Sequence, residues 1–225
     1  MNPVRQPATV ALVEEQEIIY VGDPMCSWCW GFAPELDELC RRLPTVGLRV
    51  VTGGLRPGPD AQPMSDRLAG FLESEWSQIE QHTGQPFDHG LLARRDWIYD
   101  TEPACRAVAI MRSIDEPLAW PLFKRIQRAF YAEGILPLDR QVLAGLVDQV
   151  GGDASAFAEA FDSERFAQAA WADFAQAREW GVASFPTVLA RVGDQGYLLT
   201  IGYTTAGVMA GRLPAEIAEP ADPPA

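Results

Sequence analysis

Residues 17–54 read EIIYVGDPMCSWCWGFAPELDELCRRLPTVGLRVVTGG, and the order of apolar patterns in them decides the fold. Glu17 to Gly22 is short, apolar and rich in β-branched and aromatic residues, which predicts a buried strand. Asp23-Pro24 breaks it. From Cys26 to Arg42, Phe32, Leu36 and Leu39, continued by Leu43, recur at spacings of four, three and four, which predicts a helix. Pro34 should bend this helix rather than end it, because the pattern continues past it. Leu48 to Thr52 reads as a second strand. The unit is βαβ, which requires parallel pairing and a right-handed crossover.

Working outward, residues 55–63 hold three prolines and a glycine and read as a loop. From Met64 to about Trp180 the pattern is almost wholly helical, in segments near 64–82, 101–114, 118–133, 138–150, 153–161 and 163–180. Thr101-Glu102-Pro103 has the form of a helix start, a capping residue followed by proline in the first turn. Gly134, Gly151 and Gly181 have the form of helix stops. Strand character returns at Thr187 to Val192 and, after the turn signal Gly193-Asp194, at Gly196 to Ile201, which predicts a hairpin. Thr204 to Leu213 predicts a short helix, and 214–225, rich in Pro, Ala and Glu, a frayed tail. The order implies a split mixed-sheet domain, 17–60 with 181–213, interrupted by a helical insertion domain over 61–180.

Composition narrows the function. Of 225 residues, 48% are hydrophobic and 22% charged, ordinary values for a globular protein. No apolar run approaches the roughly 18–20 residues of a membrane-spanning helix. Met1 to Gln16 lacks an apolar stretch of signal-peptide length and carries Glu14 and Glu15, so the expectation is a cytoplasmic protein. A net charge of −13 repels phosphates and anionic lipid, which argues against nucleic-acid and membrane partners. Four cysteines are too few for a disulfide scaffold in a chain of this length, and a closely spaced pair points to redox chemistry or metal.

That pair is Cys26-Ser27-Trp28-Cys29, placed directly after a predicted strand and opening a predicted helix. Unpaired amides and the helix dipole favour negative charge there, so a thiolate is stabilised. Cys26, at the helix mouth, is the candidate nucleophile. Cys29, one turn further in, is the candidate resolving thiol. A second element, Ser184-Phe185-Pro186-Thr187, enters the third strand with a proline that cannot donate to the ladder and can adopt cis at modest cost. The plainer readings stand beside these. The pair could be inert, or half of a zinc site, but no second CxxC exists and His82 and His89 lie in the insertion. Cys40, eleven residues after Cys29 and on the same helix face, reads as a packed core residue, with a regulatory disulfide partner as the alternative. Cys105, near a predicted helix start, is either an activated thiol or an ordinary packed one. At least one of Trp28 and Trp30 is expected to pack into the core, and Trp28 is the better candidate to face substrate. Trp76, Trp97, Trp120, Phe123, Phe130 and Tyr131 read mainly as insertion core, with a few available to line a groove facing Cys26.

The strand–CxxC–helix start, Pro34 five residues beyond Cys29, and Phe185-Pro186-Thr187 before a hairpin resemble the thioredoxin superfamily. The long helical insertion is similar to that of its DsbA branch. DPMCSWCWGFAPEL, with GGLRPG, WIYDTEPACRA and QRAFYAEG, resembles the cytoplasmic FrnE-like proteins, over essentially residues 17–205. The resemblance implies an α/β, thioredoxin-like fold with a large all-helical insertion between the βαβ and ββα halves. It implies a thiol–disulfide oxidoreductase or isomerase in which Cys26 attacks and Cys29 resolves. A cis Pro186 would pack against the pair, and Ser27, Trp28, Phe185 and Thr187 would contact an extended substrate. It implies no metal and no bound cofactor beyond the Cys26–Cys29 disulfide, with protein or small-molecule thiols and disulfides as partners and glutathione as a candidate electron partner. Two features depart from the family pattern. Many relatives keep a buried carboxylate six residues before the first cysteine, where this chain has Tyr20, leaving Asp23 or a water as substitutes. Strongly oxidising relatives carry a histidine inside the motif, where this chain has Trp28, which predicts a less oxidising couple.

Two other classes share the fold. Kappa-class glutathione transferases and 2-hydroxychromene-2-carboxylate isomerases typically use one serine or cysteine near the first motif position, and the intact pair argues against them. A binding module with a vestigial pair is the third reading.

Overall fold

The structure, a computed structural model, describes residues 15–218. The reading of the N-terminal segment up to residue 14, and that of the tail from 219 onward, lie outside the described residues. Strand β1 (Gln16–Gly22), helix α1 (Ser27–Arg42) and strand β2 (Gly47–Thr52) form the expected βαβ unit, with β1 and β2 parallel in the register Ile18 to Leu48 through Gly22 to Thr52. Pro34 lies within α1, and the helix runs through it. Strand β5 (Thr187–Val192) pairs antiparallel with β1, and β6 (Gln195–Ile201) antiparallel with β5, with a bulge at Val188/Leu189. The sheet order is β2-β1-β5-β6, so strands far apart in sequence meet at the centre.

The insertion is mostly helical. It holds α2 (Asp66–Thr83), α3 (Glu102–Ile114), α4 (Ala119–Ala132), α5 (Arg140–Gln149), α6 (Ala154–Phe161), α7 (Glu164–Ala167) and α8 (Ala169–Glu179). It also holds one strand pair that the sequence does not announce, β3 (Gln62–Pro63) antiparallel to β4 (Ile98–Tyr99). Two residues per strand are too short to show an alternating pattern. The single helix expected over 163–180 is broken at Gln168, which ends α7 and precedes α8. Thr101 precedes α3 but its side chain does not cap it; the hydroxyl accepts the Arg56 amide at 3.1 Å instead. After the sheet come α9 (Ala206–Ala210) and α10 (Ala215–Ala218). Ile217 is buried, so the chain is still packed where a frayed tail is expected from 214.

Alternation along β1 sends its side chains to two faces. Ile18 and Tyr20 join Val50, Val188, Ala190 and Leu199 in the main core, which continues without a break through Phe32 and Leu36 of α1 into Trp76, Phe123, Phe130 and Tyr131 of the insertion. The insertion aromatics therefore build core. Ile19, Val21 and Val51 face the other way, onto Ala177 of α8. Arg112 of α3 and Asp173 of α8 form a bidentate pair (2.8 and 2.6 Å), and Asp173 also accepts the Thr52 amide (2.9 Å) and hydroxyl (3.0 Å). That network fixes the end of β2, where the chain turns toward the motif.

Candidate active site

Cys26 is the N-cap of α1 (φ −92°, ψ 120°), and no acidic residue stands in the first turn to compete for its amides. Both motif cysteines are thiols. Cys26 is 6% exposed and borders a groove of about 640 Å³; Cys29, one turn deeper, is fully buried. Burial pushes the Cys29 thiol well above the usual range, and the Cys26 sulfur beside it adds to the effect.

The Phe185–Pro186 peptide bond is cis, and the Cys26 thiol donates to the Phe185 carbonyl at 3.9 Å. Two distant segments thus meet at one sulfur. The approach depends on Gly53, because a Cβ there would stand 2.1 Å from the Phe185 ring. The Pro186 carbonyl accepts the Gly202 amide (2.7 Å), and the Thr187 hydroxyl donates to the Ser184 carbonyl (2.7 Å).

Ser27, Trp28 and Phe185 line the groove with Cys26, whereas Cys29, Pro186 and Thr187 sit behind its wall. Trp28 is half-buried, its ring edge-on to His82 and tilted against Tyr203. Trp30 is the core member of the pair, its indole N–H donating to the Pro86 carbonyl at 3.1 Å. The groove also takes Phe71, Leu72 and Glu75 from α2, Tyr99 from β4, Arg56 from the loop after β2, and Arg178 from α8. The sequence reading missed these residues. One signal was available: Phe71 is an apolar residue off the Leu68–Leu72–Ile79 stripe, and it is 53% exposed.

Tyr20 and Asp23 answer the missing carboxylate differently. The Tyr20 hydroxyl lies buried beside Cys29 without a well-formed hydrogen bond, and burial raises it well above the phenol range, so it stays neutral. Asp23 is fully buried. Its carboxylate accepts the Met25 amide (2.8 Å), the Leu55 amide (2.6 Å) and the Cys105 thiol (3.4 Å). Burial raises the Asp23 carboxyl, and those donors oppose the rise. Cys105 is enclosed against that carboxylate, and burial, reinforced by Asp23, raises its thiol well above the usual range. It is a packed residue rather than an activated one. Cys40 borders a separate hollow with Leu48 and Trp120, and burial pushes its thiol to about 11.

The family model for the DSBA-like thioredoxin domain matches residues 17–204. The chain belongs to the DsbA-like thioredoxin family. Among solved structures, a provisionally named protein disulfide isomerase from Nitrosomonas europaea is 31% identical, with a TM-score of 0.80 over 88% of this chain and 95% of that one. The cytosolic disulfide reductase DsbM from Pseudomonas aeruginosa is 28% identical, with a TM-score of 0.71 over 91% and 93%, and it has also been solved with glutathione. A 2-hydroxychromene-2-carboxylate isomerase, 16% identical with a TM-score of 0.57 over 82% and 88%, shares the fold alone. A comparison with curated proteins finds no match. The DsbA-like chain described here thus joins a family fold to a CxxC pair, the equipment of a thiol–disulfide oxidoreductase. Among the described residues no helix is long and apolar enough to cross a membrane.

Proposed function

We propose that this DsbA-like protein exchanges disulfides with protein and small-molecule substrates in a reducing, cytoplasmic compartment, Cys26 attacking and Cys29 resolving. The observation that carries the reading is the asymmetry of the pair: Cys26 opens on the groove and Cys29 lies fully buried behind it. Attack by the Cys26 thiolate breaks the substrate S–S bond and forms a mixed disulfide. Cys29 then attacks Cys26, the second substrate thiolate leaves, and the enzyme ends as the Cys26–Cys29 disulfide. In the reverse direction two thiols reduce that disulfide. An extended client would lie against the Phe185 backbone beside Pro186, with Ser27 and Trp28 shaping the contact and Thr187 bracing the wall from behind through the Ser184 carbonyl. The cytosolic assignment and the glutathione complex of the Pseudomonas relative support the compartment and the small-molecule partner. With no histidine in the motif, the couple is less oxidising than that of the strong periplasmic oxidants.

Titration against glutathione redox buffers, followed by tryptophan fluorescence, tests this. The expected result is one two-electron transition, absent in Cys29→Ala. Full insulin-reductase activity in Cys26→Ser would refute the mechanism, and a glutathione-dependent isomerase activity surviving Cys29→Ala would favour a different chemistry.

A further inference from the structure

Three charged side chains line the Cys26 groove, Arg56, Arg178 and Glu75, and none of them forms a side-chain ion pair among the described residues. In a chain of net charge −13, this groove carries two guanidinium groups against one carboxylate. Arg56 is held in place. Its amide donates to the Thr101 hydroxyl and its carbonyl accepts the Thr101 amide, both at 3.1 Å, and its guanidinium lies 5.0 Å over the Tyr99 ring. It also borders a neighbouring hollow with Leu68 and Phe71, which places it toward α2. Glu75 stands one turn beyond Phe71 on that helix. Arg178 belongs to a different element, α8, where the chain leads through Val182 and Ser184 to Phe185.

We propose that these three residues read glutathione. At neutral pH glutathione carries two carboxylates, one ammonium group and, near its centre, a sulfur. Two guanidinium groups and one carboxylate around Cys26 are the complement of that pattern. Arg56 and Glu75 together receive the α-amino acid end of the γ-glutamyl residue, and Arg178 receives the glycyl carboxylate. An internal segment of a protein client has no terminal carboxylate or ammonium group at these distances from its cysteine, so the trio selects the small partner over the large one. A groove of about 640 Å³ suits a ligand of this class.

The inference rests on the oxidoreductase reading. In the step concerned, the Cys26 thiolate attacks one sulfur of glutathione disulfide and one glutathione thiolate leaves. Cys29 attacks Cys26 and the second glutathione thiolate leaves. The protein loses two electrons and glutathione disulfide gains them; the two cysteine protons pass through solvent to the two leaving thiolates.

The test is the rate at which four disulfides oxidise the reduced protein, read by tryptophan fluorescence in stopped flow. The four are glutathione disulfide, the disulfide of glutathione amide (glycyl carboxylate capped as the amide), the disulfide of N-acetylcysteinylglycine (no γ-glutamyl end and no free amine), and uncharged hydroxyethyl disulfide. Arg56→Gln and Glu75→Gln should each lower the rate ratio of glutathione disulfide to hydroxyethyl disulfide about tenfold, as for loss of a charge-assisted hydrogen bond. Arg178→Gln, at an exposed position, should lower it roughly threefold. The Arg178 effect should vanish with glutathione amide disulfide, and the Arg56 and Glu75 effects with N-acetylcysteinylglycine disulfide. Ratios within twofold of the parent in all three variants overturn the proposal, as does an effect that ignores which end of the ligand is missing. If none of the four disulfides oxidises the parent protein, the oxidoreductase reading falls and this one with it. Oxidation by hydroxyethyl disulfide without charge selectivity overturns only the glutathione assignment.

Discussion

Substituting Gly53 by alanine sets the Phe185 wall against a single methyl group. A Cβ at Gly53 would stand 2.1 Å from Phe185 Cε1 and 2.2 Å from Cζ, where ordinary contact begins at 3.4 Å. The ring edge must therefore retreat by about 1.3 Å, the difference between 2.1 and 3.4 Å. It cannot retreat inward, because Phe185 packs on the Ile19, Val21, Val51 and Ala177 cluster. It either swings into the groove, obstructing Cys26, or drags its backbone and separates the Phe185 carbonyl from the Cys26 sulfur. Overpacking of this kind costs about 1–3 kcal/mol. At about 2–4 °C per kcal/mol for a chain of this size, the melting temperature should fall by roughly 2–12 °C. A displacement of about 1 Å beside reacting atoms should lower kcat/KM for disulfide reduction about 10- to 100-fold. Thermal melts and insulin-reduction kinetics on Gly53→Ala, with Gly47→Ala as a control that meets nothing within 4 Å, decide the matter. A Gly53→Ala protein with the parent's melting temperature and a rate within twofold of it would show that Phe185 does not form the wall beside Cys26.

Asp173→Ala should destabilise the protein by about 3–5 kcal/mol in denaturant unfolding, since it leaves the Arg112 guanidinium enclosed without its partner. The double variant Asp173→Leu/Arg112→Met should recover most of that loss, and recovery of none would argue against the account. Burial raises the Asp23 carboxyl, so its neutral form is favoured in the folded state; that contribution is present below the ordinary carboxylate range and lost as pH rises above it. Stability of Asp23→Asn should therefore gain on the parent between about pH 4 and pH 7, and a difference flat in pH would refute the assignment. The same sign holds for Cys29 in the reduced protein: stability is retained below about pH 8.5 and lost at higher pH as ionisation becomes favourable in the unfolded chain. The oxidised protein has no Cys29 thiol to ionise, so the stability gap between oxidised and reduced forms should widen from about pH 8.5 to pH 10.

The βαβ unit and the late hairpin are legible because both patterns are local: a strand of β-branched residues, a helix stripe of Phe32, Leu36 and Leu39, and a glycine turn. Cys26 and Cys29 are legible for the same reason, being bound to one helix start. The groove is not. Its far side is assembled from α2, β4 and α8, whose residues meet Cys26 only through the tertiary fold, and Arg56 and Arg178 look like any surface arginines in sequence. Thr101 shows the same limit at one residue. Its position before Glu102-Pro103 reads as a cap, yet the nearby Arg56 amide takes the hydroxyl. The break at Gln168 had no glycine or proline to mark it.

The contact between Cys26 and Phe185 spans 159 residues, and β1 finds its antiparallel neighbour only when β5 exists. During synthesis at about 5–20 residues per second, the segment that covers the pair therefore follows Cys26 by roughly 8–30 s. For that interval Cys26 and Cys29 belong to a nascent chain with reactive thiols and no roof. A protein of this topology is most open to a stray oxidant while it is still being translated, before the segment that shelters its thiols exists.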